Sequence, residues 1–318
     1  MSHGMVIVRL FVELIPSLGL GLWIGWLKPG WTRPLAMPLV RFGVPISLMG
    51  LLLKGGIHWS MAMNALIAAL AIGLWMLGLQ LLPGQAKPVD RPALQIGCAV
   101  GNTAYFGIPV ALALLPSQAL PISIGYDLGA TLLAWSLGPF WLSQQAGGWR
   151  ELMRHLIGSP ATRGLLAALI VKMTPWSDTI ASTLWLPSRM VIVLALVVVG
   201  MRLGSIQAAR ATAAPSAIPV ASRSDNNQLH AALICKLLLF PAWVWLLCTL
   251  LALEPLTRQA LVLQGAAPAS ISMLLMAEQA GRDAEQAASL LLRSTLLALI
   301  SVPLWWLVLM QALGTPGR

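Results

Sequence analysis

The stretch Gly97-Cys98-Ala99-Val100-Gly101-Asn102-Thr103-Ala104-Tyr105-Phe106-Gly107-Ile108-Pro109 sets three glycines, a proline and two small polar side chains inside an apolar run. Pro109 removes a backbone donor and crowds the preceding turn, and Gly107 lets the chain leave helical geometry. N–H groups freed at such a break can point at an anion, aided by the positive end of a helix dipole. Asn102 and Thr103 would add side-chain hydrogen bonds. Gln264-Gly265-Ala266-Ala267-Pro268-Ala269-Ser270-Ile271-Ser272 repeats the pattern late in the chain. Paired interruptions at matching positions point to a solute site between two half-chains. The other reading is a pair of Pro-kinked helices whose small residues allow close packing. The candidate binding residues are Asn102, Thr103 and Ser272, with Gly101, Gly107, Pro109, Gly265 and Pro268 shaping the backbone.

Charges inside apolar runs come next. Asp127, in Tyr126-Asp127-Leu128, reads as a proton or hydrogen-bond partner for a solute, or equally as an anchor between helices. Arg293 reads as a counter-charge for an anion or as a cation that snorkels to the interface. Glu13 and Glu278 read as structural or interfacial, and Arg189 and Lys236 as snorkelling cations near helix ends. Cys98, Cys235 and Cys248 lack zinc or CxxC spacing, and the four histidines form no metal-ligand pair. No metal or cofactor is expected. Without a His, Cys or Asp constellation, neither is an enzyme.

The elements that must hold these residues follow from composition. Of 318 residues, 58% are hydrophobic and 9% charged, against about 25% charged in soluble domains. Such a surface belongs in lipid, where a helix needs about 20 apolar residues to cross. Met190–Gly200 is apolar on every face, which a β-barrel strand would not be. Ten spans are expected, near 5–27, 33–53, 59–82, 92–115, 121–144, 158–173, 183–203, 229–253, 256–279 and 284–313, with a polar loop over 204–228. The first is too long for a signal-peptide core and is expected to stay uncleaved.

The net charge of +10 is scattered between apolar runs, so it reads as topology signal and headgroup anchor, not as a nucleic-acid surface. Lys28, Arg33, Lys87, Arg91, Arg150, Arg154, Arg163, Arg202, Arg210, Arg223 and Arg282 fall in alternate loops. The positive-inside rule then leaves both termini outside the cytoplasm. Met37-Pro38 leading to Lys54-Gly55 is echoed by Leu186-Pro187 leading to Arg202-Leu203-Gly204. That pairs spans 2 and 7, as the interruptions pair spans 4 and 9. Two five-helix halves, odd in number, must be inverted relative to each other.

Together these residues resemble the auxin efflux carrier family, the bacterial relatives of the plant PIN carriers. The resemblance rests on Gly101-Asn102-Thr103 with Gly107-Ile108-Pro109, and on Tyr126-Asp127-Leu128 followed by Thr131-Leu132-Leu133 and Trp135-Ser136-Leu137-Gly138. Lys236 with Pro241, Pro268, Ala277-Glu278, Gly281, Arg293-Ser294-Thr295-Leu296-Leu297 and Pro303 complete it. It implies an all-α polytopic fold of ten transmembrane helices in two inverted five-helix repeats, as in bile-acid symporters and NhaA-like proteins. Residues 1–57 and 146–204 would be a scaffold, often dimeric. Residues 58–145 and 229–318 would be a transport domain in which broken spans 4 and 9 cross at the substrate. The polar loop, 205–228, would be cytoplasmic. The implied activity is elevator-type carriage of a small organic anion, such as a carboxylate, across a bacterial-type inner membrane.

The chain departs from the family at Ala269, where a second proline is usual, at Ser272, where an asparagine is usual, and at Arg293, usually apolar. A cation-coupled symporter or antiporter on the same fold is a rival reading; it would want more intramembrane carboxylates than Asp127. A non-transporting membrane sensor, which would usually append a soluble output domain, is another.

Overall fold

The computed structural model describes residues 3–83, 87–143, 149–158, 160–212 and 223–314. Among them every regular element is a helix. They are α1 (His3–Leu27), α2 (Thr32–Pro38), α3 (Val44–Gly55), α4 (Trp59–Leu81), α5 (Pro92–Ala99), α6 (Ile108–Leu114), α7 (Ala119–Ser143) and α8 (Trp149–Gly158). Next come α9 (Pro160–Lys172), α10 (Ser177–Thr212), α11 (Arg223–Ile234), α12 (Phe240–Leu250), α13 (Pro255–Gly265), α14 (Ile271–Gln279) and α15 (Ala284–Leu313). Five stretches among the described residues are long and apolar enough to cross a membrane: Pro29–Gly55, Trp59–Leu81, Ser177–Ala209, Asp225–Leu250 and Ala284–Leu313.

Three helices are interrupted by the same device. Wide π turns occupy Leu39–Gly43, Thr103–Gly107 and Cys235–Leu239, and in each case a proline stands two residues beyond, at Pro45, Pro109 and Pro241. A proline ring collides with the carbonyl four residues earlier. Here those carbonyls belong to Arg41, Tyr105 and Leu237, all inside the wide turns, where the extra residue moves them aside.

Two sequence-based expectations change. The loop expected over 204–228 is largely helix: α10 continues through Thr212 and α11 starts at Arg223, because Gln207-Ala208-Ala209-Arg210-Ala211 is made of strong helix formers. Residues 213–222 of that expectation lie outside the described residues. The loop expected around Arg150, Glu151, Arg154 and His155 is α8. Its apolar residues Trp149, Leu152, Met153, Leu156 and Ile157 recur at i, i+3, i+4, i+7 and i+8, the pattern of an amphipathic interfacial helix.

The chain forms two compact units, residues 1–10, 58–153 and 221–318 in one and 11–57 and 154–220 in the other. One holds α4 to α7 and α11 to α15 with the first residues of α1; the other holds the rest of α1 with α2, α3, α9 and α10. In the second unit α1 and α10 meet through facing pairs of glycines spaced by four. A Cβ on Gly21 would lie 2.0 Å from the Val197 carbonyl oxygen, and one on Gly25 would lie 1.9 Å from that of Met201. From the other side, Cβ atoms on Gly200 and Gly204 would lie 2.3 Å and 2.1 Å from the carbonyl oxygens of Leu18 and Leu22. Without a hydrophobic drive between helices in lipid, such close backbone approach supplies the van der Waals contact that holds them. The obstacle at each site is backbone, which cannot swing away. Gly25→Val is therefore expected to cost about 3 kcal/mol or more, the upper end of ordinary overpacking, read as a lower melting midpoint in detergent. A wild-type midpoint would remove this contact from the stability of the unit.

Candidate functional site

Both expected interruptions are present, and they meet. α5 ends at Ala99; Val100 is extended (φ −79°, ψ 111°) and Asn102 non-helical (φ −79°, ψ 66°) before the wide turn restarts the helix. α13 ends at Gly265, and Ser270 is extended (φ −81°, ψ 148°) before α14. Pro268 fixes the second break, since the residue before a proline is pushed away from helical geometry. The two extended pieces lie antiparallel with Gly101 opposite Ala269. Asn102 N–H donates to the Pro268 carbonyl at 2.7 Å and Ser270 N–H to the Val100 carbonyl at 3.2 Å. This pairing satisfies backbone groups that a broken helix would otherwise leave bare in an apolar interior. Ala269 N–H, turned out of the pair, donates to Ser294 Oγ of α15 at 3.1 Å.

Side chains of α7 and of the broken spans themselves complete the centre. Thr103 Oγ1 donates to Asp127 Oδ1 of α7 at 2.6 Å, and Thr131 Oγ1 donates to the same oxygen at 3.4 Å. All but about a twentieth of Asp127 is buried, so this carboxylate ties the restarting half of span 4 to α7. Ser270 Oγ accepts from Met273 N–H at 3.2 Å and caps α14.

The amides of Asn102 and Gln264 behave differently. Both residues are buried, yet Asn102 Nδ2 and both Gln264 amide atoms have no hydrogen-bond partner among the described residues. The Gln264 amide lies over Gly107, where a Cβ would be 2.1 Å from Oε1. Buried polar groups are as a rule paired, so Asn102 Nδ2 and the Gln264 amide stand out at the crossover as polar groups with hydrogen-bonding capacity left over.

Lys236 departs most from expectation. It does not snorkel: it is fully buried. Its Nζ donates to the carbonyls of Ala99 at 3.3 Å and Gly265 at 3.1 Å, and lies 4.8 Å from the centre of the Phe240 ring. Those carbonyls belong to the last residues of the first half-helices of both broken spans.

Asn102, Thr103, Asp127, Gly101, Gly107, Pro109, Gly265 and Pro268 thus gather in one place. Two candidates stand apart. Ser272 is the second residue of α14, half-buried, and the cap is Ser270. Arg293 is half-buried and has no hydrogen bond or ion pair to a described residue. One helical step of about 100° turns it away from Ser294, which reaches the crossover. The side chain of Glu13 lies outside the described residues. Gln264, Lys236, Ser270 and Ser294 are the residues sequence reasoning passed over. The available signal was an isolated lysine five residues before a proline within an apolar run. An apolar cavity of about 170 Å³ adjoins the crossover, lined by Ile72, Met76, Ile96, Val100, Leu133 and Trp141 among others.

A chain whose described elements are all helices, several of membrane length and two broken ones meeting in a polar, buried centre, has the make-up of a multi-pass membrane transport protein. Over residues 149–306 the chain matches the family described as "Membrane transport protein". It is also similar to an uncharacterized transporter of Methanothermobacter thermautotrophicus. The two are 26% identical over 217 residues, covering 68% of this chain and 67% of the relative.

Proposed function

We propose that the protein is a secondary carrier that moves a small organic anion, a carboxylate, across a bacterial-type inner membrane by an elevator motion. The observation that carries this reading is the crossover. The half-helices that restart at Thr103 and Ile271 present N-terminal ends, favourable to negative charge, beside the unpaired amides of Asn102 and Gln264. A carboxylate accepts hydrogen bonds only, and the free Nδ2 and Nε2 donors suit it.

The remainder of the reading has its own support. Residues 1–10, 58–153 and 221–318 form one unit and 11–57 with 154–220 the other; a two-unit chain supports a transport domain moving against a scaffold through which two copies would pair. Arg91, at the start of α5, meets both Asp225 of α11 and Asp283 before α15. In a ten-span inverted repeat these lie in the loops between spans 3 and 4, 7 and 8, and 9 and 10, which share one face of the membrane. The positive-inside rule makes that face cytoplasmic and both termini external.

The test is thermal stability of the purified protein in detergent against a panel of small carboxylates, with neutral analogues as controls. A ligand at 100 times its dissociation constant adds about 2.7 kcal/mol. At least one acid is expected to raise the wild-type midpoint while its amide does not, and Asn102→Ala is expected to lose that response without a lower yield. A panel in which no acid acts, or in which Asn102→Ala responds as wild type does, removes the anion or the residue from the reading.

A further inference from the structure

We infer that Lys236 is a built-in counter-cation of the crossover, holding the position a small metal cation would otherwise take between the two half-helix C-termini. Each half-helix ends with unpaired carbonyls and a partial negative charge. In carriers with broken helices, such C-terminal ends and unwound carbonyls are where coupling ions coordinate. Here α5 and α13 bring the carbonyls of Ala99 and Gly265 to the same point, and the ammonium of Lys236 sits on both, at 3.3 Å and 3.1 Å.

The lysine is committed to this place. An ammonium has three donors and no acceptor. Two of its directions are taken by the carbonyls, and the Phe240 ring, 4.8 Å away, lies close enough for its face to attract the cation. That leaves little of the charge to bind a travelling solute, so Lys236 is a positioning residue and not a substrate ligand. Asp127 is not its partner, since that carboxylate accepts from Thr103 and Thr131. Room for the ammonium depends on Gly101, where a Cβ would stand 3.1 Å from Nζ. The side chain enters from the wide turn Cys235–Leu239, whose geometry Pro241 imposes, so the same proline that distorts span 8 aims its lysine.

The assignment rests on the carrier reading only in taking the crossover as the binding centre. It is tested on the full chain in detergent, as wild type, Lys236→Ala and Lys236→Met, melted in sodium, lithium or choline chloride at equal ionic strength. Choline is too large for the position. The wild-type midpoint is expected to be the same in all three salts. Lys236→Ala is expected to melt lower in choline and to recover part of the loss in sodium, lithium or methylammonium chloride, the last restoring the missing group itself. Lys236→Met, which fills the volume without charge, is expected to recover less.

A wild type stabilised by sodium over choline overturns the assignment, and this arm decides the matter even if neither variant can be purified. So does a Lys236→Ala protein as stable as wild type and indifferent to all cations. A carboxylate response that survives alongside wild-type sodium stabilisation sinks the lysine assignment and leaves the anion carrier standing. Absence of any carboxylate response with the expected salt pattern does the reverse.

Discussion

An Arg91→Ala chain is expected to lose about 2–3 kcal/mol of stability, between the cost of breaking a buried ion pair and that of an exposed one. The guanidinium joins three stretches far apart in sequence. Nε and Nη2 donate to Asp225 Oδ1, and Nη1 donates to Asp283 Oδ1 at 3.0 Å. The partners are unequally buried: the side chains of Arg91 and Asp225 are 32% and 23% exposed, but that of Asp283 only 7%. Asp283 also holds a left-handed backbone, φ 56°, at the start of α15, a conformation that costs a residue with a side chain about 1 kcal/mol or more.

Removing the arginine leaves that carboxylate buried beside another acid, and solvent reaches only part of the group to screen it. The backbone beneath stays tied, because Gln228 Oε1 accepts from the N–H groups of Asp90 and Arg91 at 3.1 Å and 3.3 Å. The loss should therefore appear as a lower midpoint, not as failure to insert. Arg91→Lys, which keeps the charge but cannot fork between two acids, should fall between. An Arg91→Ala midpoint within error of wild type would mean that the three stretches are held by packing alone.

What was legible in the sequence, and what was not, divides by the range of the interaction. The broken spans were readable because proline and glycine act on the backbone locally: residues 100–102 and 266–270 leave the helix, and Thr103–Gly107 widens it, beside the glycines and prolines of the two motifs. The two ends of the loop expected over 204–228, residues 204–212 and 223–228, were misread because polar residues were weighed above helix propensity, and Ala-rich polar sequence is good helix. Ser272 was read as a solute ligand; the cap of α14 was not read at all, and it goes to Ser270, whose Oγ precedes the first turn and reaches the N–H three residues on. Lys236 was the costliest miss. Snorkelling is the ordinary fate of a lone lysine near a helix end. Only the meeting of two half-helices from distant sequence makes an interior place where a cation is wanted. Nothing near residue 236 records that Ala99 and Gly265 carbonyls will converge on it.

Gly107→Ala is the other large effect, and it separates the role of Gln264 from that of the backbone. Gly107 has ordinary helical angles, φ −66° and ψ −44°, so nothing in its conformation asks for glycine. The requirement is space. An alanine Cβ would stand 2.1 Å from Gln264 Oε1 and 2.9 Å from its Cδ, and the amide, at the end of a flexible side chain, must move. If that amide binds the solute, its displacement removes a hydrogen bond to a charged group, about 1.5–3 kcal/mol, or a loss of about ten- to a hundredfold in affinity. The melting midpoint without solute should change much less, because the amide has no protein partner to lose. Gln264→Ala should lose as much, and the double variant no more than either alone, since both changes remove one interaction. Losses that add in the double variant would assign Gly107 a separate backbone role. Uptake unchanged in Gly107→Ala would take Gln264 out of the site and leave solute recognition to Asn102 and the helix ends.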